Sequence, residues 1–457
     1  MYRKTMAVML TAGLILSPVS FSANAASSTS NNPSDHAFDN KVIKKIKVDN
    51  MYDNIALLSK QPRVAGTEGE YEAVQYIKNQ FEEYGYDTEL QPFTMYDWDP
   101  GVSTLSIEGG DFTGDTRSFY ASANESVTSQ LEFVGLASPE EVSEDVKGKI
   151  ALIERGQYTF YEKIENVLEK GAIGVVMYNA EGQSGNNFGS VYLGQDIPAI
   201  ALTREDGLEL VERLQNKEIT ATLSVENANF VAKTSYNVIA KKEPHPNKDN
   251  GQIVTVGAHH DSVPNGPGAN DDASGVAATL ELARILAKTP TDTELRFVTF
   301  GAEERGLLGS YHYADTLSDE EIENSVAHFQ LDMVGSKDAG DLIMFTPDGE
   351  KNLVTDIGAS AGARISEVVD YGQLGRSDHV PFFEKGIPSA LFIHAPFEPW
   401  YHSPEDTLDK ISKEKLQNVA EIVGASVYQI ARPDTPALEN SNVAPSPADY
   451  DFDYRPL

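Results

Sequence analysis

From Ser235 onward the chain repeats one pattern, a short, largely apolar run followed by a stretch long enough for an amphipathic helix. Ile253 to Ala258, Leu295 to Phe300, His328 to Met333 and Ser389 to His394 read as strands, and Ser274 to Lys288 as a helix between two of them. Strands without a polar face must be covered on both sides, which a mostly parallel or mixed sheet flanked by helices achieves. The expected class is therefore α/β. Sheets of this kind carry their chemistry at the carboxyl ends of the strands, in the loops that follow.

Upstream the periodicity differs. Ile43, Ile46 and Met51, then Ala73, Ile77 and Phe81, recur at helical spacing between Asn40 and Tyr86, and Thr88 to Met95 reads as a strand. Between Gly101 and Asn227 the segments shorten: strand-like Val127 to Phe133 and Lys149 to Glu154, a helix at Phe160 to Lys170, and the apolar strand Ile173 to Tyr178. We therefore expect a β-rich insert over 101–227 that splits a larger domain into 40–100 and 228–433. After Pro433 the composition turns to Pro, Ser, Asn and Asp, and 434–457 is expected to be a flexible acidic tail.

The chain begins with Arg3 and Lys4, the apolar run Met6 to Val19 and the small residues Ser22-Ala23-Asn24-Ala25-Ala26. This is the pattern of a signal peptide over 1–26, cut after Ala25 or Ala26, and the run is too short to span a bilayer. The protein is expected to be secreted and extracellular, without a transmembrane anchor, after a Ser/Asn-rich disordered segment over 27–39. A net charge of −34, with 70 acidic against 36 basic residues, argues against nucleic acid as a partner. The chain has no cysteine, which excludes a thiol nucleophile, thiolate metal ligands and disulfides. Any transition metal must be held by His, Asp and Glu.

Four segments set such residues in or just beyond an apolar segment. In the first, a strand delivers His259, and the Gly/Pro loop 264–268 turns back to deliver Asp271 at the start of a helix. Asp261, two positions after His259, is placed to hold the far nitrogen of a ligating imidazole. In the second, Glu303 and Glu304 follow the strand ending at Phe300, and bringing both carboxylates together favours a cation beside them. They divide naturally into one metal ligand and one general base. The third is Asp332 within an apolar strand, where an unpaired carboxylate is strongly disfavoured. The fourth is Tyr401-His402, a further ligand beside a hydroxyl able to bond an oxyanion. Singly, each has an ordinary reading as a helix cap, a solvated pair or a core residue. Together His259, Asp271, Glu304, Asp332 and His402 form an all-N/O donor set that suits zinc, and with one bridging carboxylate five residues can hold two ions about 3.5–4 Å apart.

These segments resemble the secreted di-zinc aminopeptidases of the bacterial leucine- and arginine-aminopeptidase type, the family that also contains glutamate carboxypeptidase and the transferrin receptor. The resemblance covers Asn40 to Arg432 apart from the insert. It rests on Gly-Ala-His-x-Asp-Ser, Gly-Ala-Asn-Asp-Asp-x-Ser-Gly, Gly-Ala-Glu-Glu-x-Gly-Leu-x-Gly-Ser, Asp-Met-Val, Ser-Asp-His-x-Pro-Phe and Tyr-His-Ser-Pro-x-Asp. The insert resembles the protease-associated (PA) domain through Leu131 to Ala137, Val146 to Gly156 and Ala172 to Tyr178. By this likeness His259, Glu304, Asp332 and His402 are terminal ligands of two zinc ions and Asp271 bridges them. Glu303 is then the general base, Asp261 supports His259, and a cis peptide joins Asp271 to Asp272. Tyr401 is expected to stabilise the oxyanion, Glu303 and Asp332 to hold the substrate α-amine, and Arg376 to line the same cleft.

The implied activity is removal of N-terminal residues from peptides or proteins with a free N-terminus, by a monomer whose insert restricts substrate size. A carboxypeptidase of the glutamate type shares the metals but needs a basic pocket, for which Arg376 is the only candidate. A single-zinc glutaminyl cyclase sits poorly with five ligands, and a receptor-like binding module with a complete set. His260, His379 and His394 lie in or beside the motif segments but outside the ligand positions, and are expected to pack or support.

Overall fold

Apolar segments buried on both faces have no water to bond their backbones, so they must pair with one another. The computed structural model describes residues 36–438 and Asn442, except 184, 187–188, 192–195 and 434. Over these residues the strands form two sheets.

The helices Asn40–Ile43, Val48–Leu58 and Glu68–Tyr84 come first, and bury Ile43, Met51, Ala73, Ile77 and Phe81 as their spacing predicts. Strand β1 (Asp87–Asp99) follows. Seven short strands succeed it: β2 (Val102–Ile107), β3 (Thr116–Ser118), β4 (Ser126–Phe133), β5 (Ile150–Glu154), β6 (Gly174–Tyr178), β7 (Ala199–Leu202) and β8 (Thr220–Glu226). They join in the order β2-β8-β4-β5-β6-β7-β3 and enclose cores of their own, one around Ile153 and Val175, another around Leu152 and Leu223. β9 (Asn229–Lys242) then returns antiparallel along β1, with Asp87 opposite Lys241 and Asp99 opposite Asn229. The smaller sheet thus leaves and rejoins the larger one through a single two-stranded ribbon.

The larger sheet is completed by β10 (Ile253–His259), β11 (Glu294–Phe300), β12 (Ser325–Leu331), β13 (Asp341–Thr346), β14 (Asp370–Gln373) and β15 (Ser389–Ala395), in the order β1-β9-β11-β10-β12-β15-β13-β14. β11, β10, β12 and β15 are mutually parallel, while β9 and β13 add on antiparallel, so the sheet is mixed as expected. Every residue of β10 and β12 is buried, and the helix Ala273–Leu286 covers one face with thirteen of its residues buried. Three of the four strands read from the sequence match to within one residue; the fourth, read as His328 to Met333, begins three residues earlier and ends at Leu331, so Asp332 stands just past the strand and not within it. β9 was not anticipated; in its outer half Asn229 to Ala232 are exposed and show no apolar alternation.

The expected signal peptide, most of 27–39 and most of the 434–457 tail lie outside the described residues. Within the former segment Asp39 is buried, accepting from Arg364 Nε at 2.9 Å, so ordered structure begins ahead of Asn40. In the latter, the backbone of Leu438 exchanges two hydrogen bonds with the side chain of Gln252. Among the described residues no helix is long and apolar enough to cross a membrane.

Candidate metal centre

Because the four central strands run parallel, their carboxyl ends share one edge of the sheet. His259 is the last residue of β10; Glu303 and Glu304 form a short 3₁₀ turn after β11; Asp332 follows β12; His402 lies in the loop beyond β15. Asp271 comes from the loop between β10 and the helix Ala273–Leu286. Two sets of donors result, His259 with Asp271 and Asp332, and Asp271 with Glu304 and His402, the ligand atoms of each lying within 4.8 Å of one another. Asp271 belongs to both. Its Oδ1 is 3.1 Å from Nε2 of His259, which is 3.6 Å from Oδ1 of Asp332. Its Oδ2 is 3.1 Å from Nε2 of His402, itself 3.1 Å from Oε2 of Glu304. One carboxylate therefore turns an oxygen to each set.

The surrounding polar groups fix this arrangement. Asp261 accepts the backbone N–H of Glu303 at 3.0 Å and of Glu304 at 3.3 Å, and its Oδ1 faces Nδ1 of His259 at 3.5 Å. Asp406 accepts the N–H groups of Asn270 (2.8 Å) and Asp271 (3.0 Å). Asp272, joined to Asp271 by the expected cis bond, caps the helix at Gly275 and also accepts from the backbones of His259 and Met333. Ser377 donates to Asp332 Oδ2 at 2.8 Å. Ala302, Met333 and His402 are left-handed, at φ 55°, 54° and 56°, so three of the ligand-bearing turns adopt a backbone that non-glycine residues rarely take. Gly268 is required outright: a Cβ there would lie 2.3 Å from the carbonyl oxygen of Asp271.

The electrostatics call for a cation. Burial, with Asp271 adding to it, pushes Glu304 up to about 7. Burial raises Glu303 well above the ordinary carboxylate range; His259 opposes the rise, and Glu304, Asp378 and Asp332 reinforce it. His402 rises to about 10 against the effect of its own burial, because Asp271 and Glu304 accept from its ring. Oε1 of Glu304 and Oδ1 of Asp332 are buried with no hydrogen-bond donor among the described residues. Such oxygens are costly unless a cation satisfies them, and imidazole with carboxylate is a donor mix that zinc accepts.

Residues 237–427 match the profile of peptidase family M28, and residues 114–210 that of the PA domain. Aminopeptidase YwaD of Bacillus subtilis is 39% identical over 447 residues, spanning 94% of this chain and 93% of that protein. The chain belongs to peptidase family M28. Among solved structures, an aminopeptidase from Aneurinibacillus sp. strain AM-1 is 51% identical with a TM-score of 0.73, covering 88% of this chain and 98% of that one. BSAP, a zinc aminopeptidase from Bacillus subtilis, is 38% identical with a TM-score of 0.71, covering 87% and 98%. The PA match falls within the span of the β2–β8 sheet.

The structure brings all five candidate ligands together, with Glu303 and Asp261 beside them. Tyr401 stacks on the imidazole of His402, with ring centroids 3.8 Å apart. Arg376 is exposed beside Ser377, and no ion pair or hydrogen bond to it is found among the described residues. His260 is buried, with Nδ1 3.1 Å from Thr299 Oγ1; Nε2 of His379 meets the Leu374 carbonyl at 2.8 Å; His394 is buried in β15. All three stand outside both donor sets. Asp261 apart, sequence reasoning missed the supports. Asp272 and Asp406 lay inside the quoted motifs, so their acidity alone could have marked them. Arg63 gave no local signal: it is buried, and its guanidinium donates to the carbonyls of Leu58, His260, Pro267 and Gly268, clamping the loop that carries Asp271.

Proposed function

We propose that this chain is an exported aminopeptidase that uses two zinc ions to remove N-terminal residues from peptides and proteins. M28 membership and the aminopeptidases among its relatives support the reaction class. The observation that carries the two-ion reading is Asp271, which presents one carboxylate oxygen to each of two donor sets. In this reading His259 and Asp332 would hold one ion, Glu304 and His402 the other, and Asp271 would be shared by both sets. Charge favours it as well, since the carboxylates of Asp271, Glu303, Glu304 and Asp332 would balance two divalent cations.

When bound, zinc acidifies water and polarises the carbonyl under attack. Glu303 takes the proton of the attacking water and passes it to the leaving amine. Asp261 keeps the backbone of Glu303 and the ring of His259 in register through the contacts described above. Tyr401 donates its hydroxyl to the oxyanion, Glu303 and Asp332 receive the substrate α-amine, and Arg376 lines the cleft. The leader sequence at 1–26 supports export, and the enzyme acts as a monomer on substrates with a free N-terminus.

Zinc per chain and release of amino acid from Leu, Arg and Lys chromogenic amides test the reading, each amide with and without an N-acetyl cap, before chelation, after it and after zinc return. Two zinc ions per chain and zinc-restored cleavage of the uncapped amides alone are expected. Full activity at one zinc per chain, or equal cleavage of capped amides, overturns it.

A further inference from the structure

The turn that carries Glu303 and Glu304 is tied to the ribbon leading to the inserted sheet. Arg305, the last residue of that turn, donates Nη2 to Oδ1 of Asp97 at 2.9 Å, and Oδ2 of Asp97 accepts from Lys233 Nζ at 2.8 Å. Asp97 and Lys233 lie on β1 and β9 beyond the main sheet, because β9 pairs with β11 only from Val238 to Lys242. A second contact is apolar. Ala302, which sets the direction of the turn, clusters with Phe93 and Met95 of β1 and with Ala65. Farther out, Trp98 and Phe230, directly opposed on the ribbon, pack with ring centroids 5.0 Å apart. Tyr120, two residues past β3 in the insert, closes that cluster, at 5.8 Å from Trp98 and 5.2 Å from Phe230.

We propose that Arg305 and Asp97 are positioning residues for the reaction: their ion pair fixes the Glu303 turn against the ribbon that bears the insert, which the neighbouring Trp98–Phe230–Tyr120 cluster braces. The inference rests on Glu303 acting as the base. Half-exposed ion pairs add little to folding stability. A general base is far less tolerant, since a displacement of about 1 Å can cost about a hundredfold in rate. The pair is therefore expected to matter to turnover and hardly at all to folding.

Arg305→Ala, Asp97→Asn, the double variant and Arg305→Lys are compared with the parent enzyme for kcat, KM, zinc content and melting temperature. Arg305→Ala should lower kcat about tenfold with KM within about twofold, and with zinc content and melting temperature unchanged. The double variant should be no worse than the poorer single one, because both remove the same contact. Arg305→Lys, which keeps the charge, should recover part of the loss, and Tyr120→Ala should shift kcat in the same direction by less. Unchanged kcat in Arg305→Ala, additive losses in the double variant, or a loss that tracks falling zinc or melting temperature overturns the proposal. Glu303→Gln in the same assay keeps the premises apart. If it stays active, the base assignment fails; if it is dead beside an undiminished Arg305→Ala, only the positioning role fails.

Discussion

Asp406 holds Asp271 by its backbone: one carboxylate oxygen accepts the Asp271 N–H at 3.0 Å while the other accepts from Asn270 at 2.8 Å. Burial, eased by those two bonds, leaves Asp406 pushed up to about 7. Exchange of Asp406 for Asn turns an NH₂ group toward one of the two donors and leaves a buried N–H unsatisfied, at a cost of about 1–3 kcal/mol. Groups that orient ligands from behind are worth about 10- to 100-fold in metal affinity. Asp406→Asn should therefore weaken zinc binding by that factor in a chelator competition, yet turn over near the parental rate once zinc is saturating. Parental zinc affinity would remove Asp406 from the site's support.

Glu303 and Glu304 are neighbours in one turn but face different tasks, and their amide replacements should separate them. Loss of a general base typically costs about 10²- to 10⁴-fold. Glu303→Gln should lose kcat on that scale and keep its zinc, whereas Glu304→Gln should come out of dialysis depleted of metal. Metal analysis of the two variants side by side checks the assignment, and zinc loss in Glu303→Gln instead would exchange the two roles.

The five candidate ligands that the structure brings together and the central strands were legible because their signals are local. A strand apolar on both faces announces its own burial, and a His or acid at its carboxyl end is conspicuous there. What escaped is built from long-range contacts. Arg63 meets the carbonyls of His260, Pro267 and Gly268 some two hundred residues away, and nothing in Gln61-Pro62-Arg63 distinguishes it from a surface arginine. Likewise Asp97 and Arg305 read as ordinary surface charges until the antiparallel ribbon brings them to the same turn. The ribbon was half hidden for a related reason: an edge that faces solvent carries no apolar period.

Tyr401 offers a test in which two contributions come apart. Its ring stacks on His402 at 3.8 Å with an interplanar angle of 25°. Phenylalanine would preserve that stack and remove only the hydroxyl. If the hydroxyl supports the oxyanion, Tyr401→Phe should lower kcat about 10²-fold with KM and zinc content unchanged. Tyr401→Ala should lower kcat and also weaken zinc, since His402 then loses its packing. Equal kcat in the parent and Tyr401→Phe would assign the ring to packing alone.

Three buried histidines outside the donor sets predict how the fold fails in acid. His328 in β12 is fully buried, stacked on Phe382 with centroids 3.7 Å apart, and burial holds it well below its ordinary value. Burial likewise depresses His379 to about 4 and His394 to about 3. A folded-state pKa below the unfolded one means that the unfolded chain binds more protons, so this stability is complete above about pH 6.5 and drains away as the pH falls below it. Each histidine removes up to about 1.4 kcal/mol per pH unit on the way down. Denaturant titrations of zinc-free protein between about pH 4 and 6 read that slope directly, without metal release complicating it. His328→Phe keeps an aromatic ring against Phe382 and should flatten the slope by about one such increment. A slope identical to the parent's would show that His328 already carries its proton in the folded core, and the acid sensitivity would then lie elsewhere.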